Sequence, residues 1–221
     1  MKRLTLVVSF TFLMLMGLTP APDAQAAGEK KAVAGTAPTM SATDLRNGMR
    51  KLWLDHTTFT RSFIISAVAG LPDLPTITQR LLRNQDDIGG AIKPIYGDEA
   101  GKKLAALLRD HILIAADITK AAKASDTKAV EAGQKKWRAN ADDIAAFLAA
   151  ANPNWKKPTL TDHLYKHLDY VTAQVVARIK AEWPADIQAF DKGNEHMLMF
   201  ADELSEGIIK QNPKKVIISE K

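Results

Sequence analysis

Residues 41–70 read SATDLRNGMRKLWLDHTTFTRSFIISAVAG. Within this stretch Leu45, Met49, Leu52, Trp53, His56, Phe59, Phe63 and Ala67 form an apolar stripe. Its steps are mostly of three and four, which is the period of one helix face, not the alternation of a strand. Ser41 or Thr43 supplies an N-cap hydroxyl, and Gly70 with Leu71-Pro72-Asp73 stops the run. The stretch predicts a helix over 42–70 with a histidine, His56, in the middle of its apolar stripe.

Working outward, the same kind of stripe returns five times. A second helix is expected over 74–93 with Ile77, Leu81, Asn84, Ile88 and Ile92, closed by Pro94 and Gly97. A third, 98–124, carries Leu104, Leu107, Leu108, His111, Ile114 and Ile118. Ser125-Asp126 caps a fourth, 126–151, with Val130, Trp137, Asn140, Ile144 and Phe147, ended by Asn152-Pro153-Asn154. Thr159 or Thr161 caps a fifth, 160–182, with Leu164, His167, Val171, Val175 and Ile179. Pro184 opens a sixth, 184–211, with Ile187, Phe190, Asn194, Leu198, Ala201 and Ile208. Helices of this size are ~30–42 Å long, and short connections make neighbours antiparallel. Val216-Ile217-Ile218 is read as part of a tail rather than a strand.

The stripes hide a repeat. His56, His111 and His167 end the words LWLDH, LLRDH and HLYKH, and they stand 55 and 56 residues apart. On the returning helices Asn84, Asn140 and Asn194 open NQDDI, NADDI and NEHML, 56 and 54 apart. The reading is an all-α, six-helix up-down bundle built from three pseudo-repeated hairpins of about 55 residues each. Gly89-Gly90 suits a close helix approach. Trp53, Trp137, Trp155 and Trp183 suit the core or helix ends.

The chain has 221 residues and no cysteine. That excludes disulfide scaffolds, thiolate zinc, iron–sulfur clusters, thiol catalysis and c-type haem attachment. Residues 1–26 have the layout of an export signal: Lys2-Arg3, the apolar run Leu4–Leu18, and Ala24-Gln25-Ala26 as cleavage site. Residues 27–40 read as a flexible linker, 41–212 as the helical domain and 213–221 as a tail. After cleavage no further apolar run is long enough to span a membrane. The mature chain then holds 28 basic and 24 acidic residues, a net +4. The charges are interspersed and no nucleic-acid motif occurs.

Three uses of the repeated histidines compete. In the first, each buried His exchanges a hydrogen bond with a facing Asn and fixes hairpin register. In the second, His56, His111 and His167 converge as nitrogen ligands for a transition metal, with Zn or Cu the candidates. His163 lies four residues before His167, a chelating spacing, and His196 adds a fifth imidazole. In the third, a His works with a carboxylate from a neighbouring helix in a hydrolase, which requires a solvent-reachable cleft. Named enzyme and metal motifs are missing: no HExxH, no ExxH, no EF-hand loop, no GxSxG and no phosphate loop. Ser125-Asp126-Thr127-Lys128 fits SxxK but reads as a helix cap. Met197 and Met199 beside His196 read as packing.

The runs Leu52–His56 through Arg61, Leu81–Gly89, Asp110–Ala115, Asn152–Trp155 and Glu195–Met199 resemble a group of bacterial helical proteins, many of them exported. The resemblance covers the mature chain and implies a shared helical fold. It implies no activity, because that group has no established one. The sequence thus leads to an exported helical binding protein for a metal ion or small ligand, with a structural or envelope-interaction module as the alternative.

Overall fold

The computed structural model describes residues 40–217. The expected export signal, residues 27–39 of the expected linker and residues 218–221 lie outside the described residues. Six helices follow one another: α1 (Ala42–Ala69), α2 (Leu74–Tyr96), α3 (Asp98–Lys123), α4 (Thr127–Ala151), α5 (Lys157–Ile179) and α6 (Trp183–Gln211). Two short strands, β1 (Met40–Ser41) and β2 (Val216–Ile217), pair in parallel. The fold is all-α, as the apolar periodicity implies. Among the described residues no helix is long and apolar enough to cross a membrane.

Local chemistry sets the helix ends. The Ser41 hydroxyl accepts from the Asp44 amide at 3.1 Å, and the Asp126 carboxylate accepts from the Ala129 amide at 3.0 Å. Both satisfy a first-turn N–H that has no partner within its helix. Pro75, Pro158 and Pro184 sit in the first turns of α2, α5 and α6, where a missing N–H costs nothing. Pro158 therefore starts α5 at Lys157, earlier than the expected Thr159 or Thr161 cap. α2 runs past Pro94 to Tyr96. Pro94 removes only its own bond in the last turn, and the Gly97 amide still donates to Lys93 O at 2.9 Å.

The three hairpin turns close alike. Amides of Leu71, Asp126 and Glu182 donate to the carbonyls of Ser66, Ala121 and Ala177, at 2.9, 3.0 and 2.9 Å. Before each of these amides stands a left-handed residue: Gly70 (φ 70°), Ser125 (φ 58°) and Ala181 (φ 59°). This is the closure that satisfies the last carbonyls of a helix.

Each helix packs on its sequence neighbours, and α6 returns to α1, so the six form a closed ring. α1, α3 and α5 also touch one another, which puts the first helix of every hairpin at the centre. Cross-links show the directions. Arg46–Glu206, Arg50–Asp202 and Arg61–Asp186 step along α1 and α6 in opposite senses. Asp186 is buried and also meets Arg178 at 3.3 Å, tying α1 to α5 and α6. α2 and α3 approach closely where Gly89 faces Gly101, and a Cβ on either would overlap the other's carbonyl.

The core contains Leu45, Met49, Trp53, Phe63, Leu81, Ile88, Leu108, Ile144, Leu168 and Phe200. The stripe overreaches at the end of the third hairpin, where Ile179 and Ile187 are 39% and 48% exposed. They flank the turn between α5 and α6. The strand pair corrects the reading of 213–221 as a tail. Val216 is buried, and the Met40 amide donates to Lys215 O at 2.9 Å. Burial of Val216 against the domain draws this segment alongside Met40.

Candidate functional site: a buried histidine layer

His56 on α1, His111 on α3 and His167 on α5 meet at the centre of the bundle. They are 2%, 3% and 4% exposed. Nε2 of His56 lies 3.4 Å from Nε2 of His167. The His111 ring stacks beside His167, with centroids 6.0 Å apart and planes at 22°. Trp53 packs edge-on to His56, and Trp137 lies against His111 at 5.1 Å. Desolvation by burial pushes the His56 imidazole down to about 4 and that of His111 to about 3. Burial, then the neighbouring imidazoles, hold His167 well below the ordinary histidine value. All three are neutral at neutral pH.

The surrounding amides settle the tautomers. Gln85 donates both amide hydrogens, to Leu81 O at 2.8 Å and to Asn84 Oδ1 at 3.2 Å. Its Oε1 is an acceptor, so His56 donates to it through Nδ1–H across 3.3 Å. Asn140 donates to Leu107 O at 3.0 Å, and its Oδ1 accepts from His111 Nδ1–H at 2.7 Å. In both neutral rings Nε2 therefore keeps its lone pair. His167 must then donate to His56 through Nε2–H.

The expected Asn column is corrected by register. Twenty-nine positions after the central histidine stand Gln85, Asn140 and His196; the first two meet that histidine's Nδ1 and the third meets the His163 carbonyl. Asn84, one position earlier, donates instead to Leu52 O at 3.0 Å. Asn194, two positions earlier, is turned toward α1, where it is hydrogen-bonded to the Thr57 hydroxyl. His196 takes the third place and donates through Nε2 to His163 O at 2.8 Å. Leu52, Leu107 and His163 each lie four residues before a central histidine. Each of their carbonyls thus gains a side-chain donor from the returning helix. Sequence reasoning missed Gln85 by following the asparagines instead of the constant offset.

The expected chelating pair, His163 and His167, engages different partners. His163 Nε2 stands 2.8 Å from Glu203 Oε2, and its ring lies 5.0 Å from that of His196. Burial lowers the His196 imidazole. Among the described residues the histidine–carboxylate pair is His163–Glu203, away from the central three. Among the described residues no set of three or more His, Asp or Glu forms a ready metal cage. The chain matches no protein-family model, no curated protein and no solved structure.

Proposed function

We propose that this is an exported binding protein whose central layer holds a transition metal ion, Zn or Cu, through His56, His111 and His167. The supporting observation is the 3.4 Å separation of the two Nε2 atoms of His56 and His167. Two nitrogens on a tetrahedral zinc with Zn–N of 2.0–2.1 Å are about 3.3 Å apart. Donation of Nδ1–H to Gln85 and Asn140 matches how ligating histidines are ordinarily oriented, with the other nitrogen left as a lone pair. Binding requires His167 to move its proton from Nε2 to Nδ1 and His111 to turn its ring out of the stack.

One observation favours a second reading, a purely structural polar layer. The His111 amide partner and the three carbonyl caps already satisfy hairpin register without any ion. A hydrolase is less well supported, since the central histidines are buried and the acid Glu203 serves His163.

Elemental analysis after native purification, with thermal melts in Zn and Cu, decides between them. The metal reading expects one ion per chain. A free concentration of 100 Kd stabilises the fold by about 2.7 kcal/mol. His111→Gln and His167→Gln should lose that shift, while His163→Gln keeps it. Stoichiometry near zero with unchanged melting would leave the structural layer as the function of these residues.

A further inference from the structure

The three central histidines differ in what faces their second nitrogen. Nδ1 of His56 and of His111 each meets an amide carbonyl. Among the described residues no hydrogen bond reaches Nδ1 of His167. His167 instead lines a cavity of about 10 Å³ between α1, α5 and α6, together with Thr60, Gln174 and Phe190. Two residues of this wall carry buried oxygens without a protein partner, Oγ1 of Thr60 and Oε1 of Gln174. Thr60 is 7% and Gln174 5% exposed. A single buried water needs roughly 10–15 Å³ and two to four polar partners. Room and partners are both present.

We propose that this cavity is a built site for one water molecule, held by Thr60, Gln174 and His167, and that this water supports either tautomer of His167, so that the ring proton can change nitrogen. The second half rests on the metal reading above; the first half does not. Without metal, His167 donates through Nε2–H to His56 and its Nδ1 is an acceptor. The water donates one hydrogen to that Nδ1 and the other to Gln174 Oε1, while the Thr60 hydroxyl donates to the water oxygen. With metal, the ring proton sits on Nδ1 and is donated to the water. The water then donates to Gln174 Oε1 and to Thr60 Oγ1, because the hydroxyl has rotated. The ring carries one proton in both states, so no charge is created in the core. A hydroxyl suits this place because it donates or accepts by rotation alone. Thr60 and Gln174 are positioning residues, acting on the ion through His167.

The test uses the mature chain, stripped with a chelator and then titrated with zinc. In the metal-free protein, magnetisation transfer should reveal a long-lived water beside the His167 ring, and the ring nitrogen shifts should report protonation at Nε2. Thr60→Val and Gln174→Met should abolish the water signal. With zinc the native ring shifts should move to Nδ1 protonation. Both variants should bind zinc about 10–100-fold more weakly, the usual effect of losing a partner behind a ligand. Absence of a long-lived water in the native protein overturns the site. A water that is present, with zinc affinity equal to native in both variants, overturns its role in the tautomer exchange. If the native chain binds neither zinc nor copper, the metal reading and the tautomer exchange both fail. The water measurement, which needs only the native protein, then still decides the cavity.

Discussion

The hairpins α1–α2 and α3–α4 place an amide 29 residues after their central histidine, whereas α5–α6 places a histidine there. In the first two, that amide orients the imidazole. In the third, His196 takes the carbonyl bond to His163, and the His167 ring, with no orienting amide, borders the Thr60–Gln174 cavity. What the three hairpins share is a carbonyl four residues before the central histidine, capped by a side chain of the returning helix. What they do not share is the residue that does the capping. A helix returning at a fixed height presents the same backbone target each time, and any side chain with an N–H at that height can serve it.

The largest expected effect probes the two oriented histidines together. An imidazole held below its ordinary value stabilises the fold fully above pH 6.5, and that stability is lost as pH falls. The unfolded chain takes up protons that the native core refuses. For His56 the window runs from 6.5 down to about 4, and for His111 to about 3. His56 alone accounts for about 3 kcal/mol. Urea unfolding of metal-free protein at pH 7, 5 and 4 should show a steep loss, and His56→Gln should flatten it. Equal stability at pH 7 and 4 would mean the layer admits charge. Burial lowers the His196 imidazole too, so it acts in the same direction.

Next comes the contrast at the 29-residue position. Asn140→Ala strips His111 Nδ1–H of its acceptor and Leu107 O of its donor, both buried, and should cost about 2–4 kcal/mol in urea unfolding. Asn194→Ala should cost under about 1 kcal/mol, since that side chain is only half-buried and lies off the position. Similar losses in the two would return the third hairpin to the asparagine column. The smallest effect is at the turns. Ala181 holds the left-handed place that Gly70 holds in the first hairpin. Ala181→Gly should raise stability by up to about 1 kcal/mol, seen as a higher melting midpoint.

Much of this was legible because helix formation here is local. The Ser41 and Asp126 caps, Pro184 and the apolar stripes placed six helices from sequence alone. The burial of His56, His111 and His167 followed from their place in those stripes. Pro94 misled because a proline's cost depends on its distance from the helix end, which sequence does not fix. Gln85 was hidden behind Asn84, since neighbouring residues differ by ~100° around a helix and only register tells which faces inward. Val216 was hidden because its partner, Met40, lies far away in the sequence, on the other side of all six helices. The Thr60–Gln174 cavity had no local signal, since its walls come from three helices.

The strand pair has a topological consequence. Met40 and Lys215 are joined by a hydrogen bond, so the chain enters and leaves the described domain at one point. Six helices in a ring, with their ends side by side, have no privileged first member. The order in which α1–α2, α3–α4 and α5–α6 are strung is then a matter of connection, and a circularly permuted chain opened at Gly97 keeps every pair of helices that meets around the histidines.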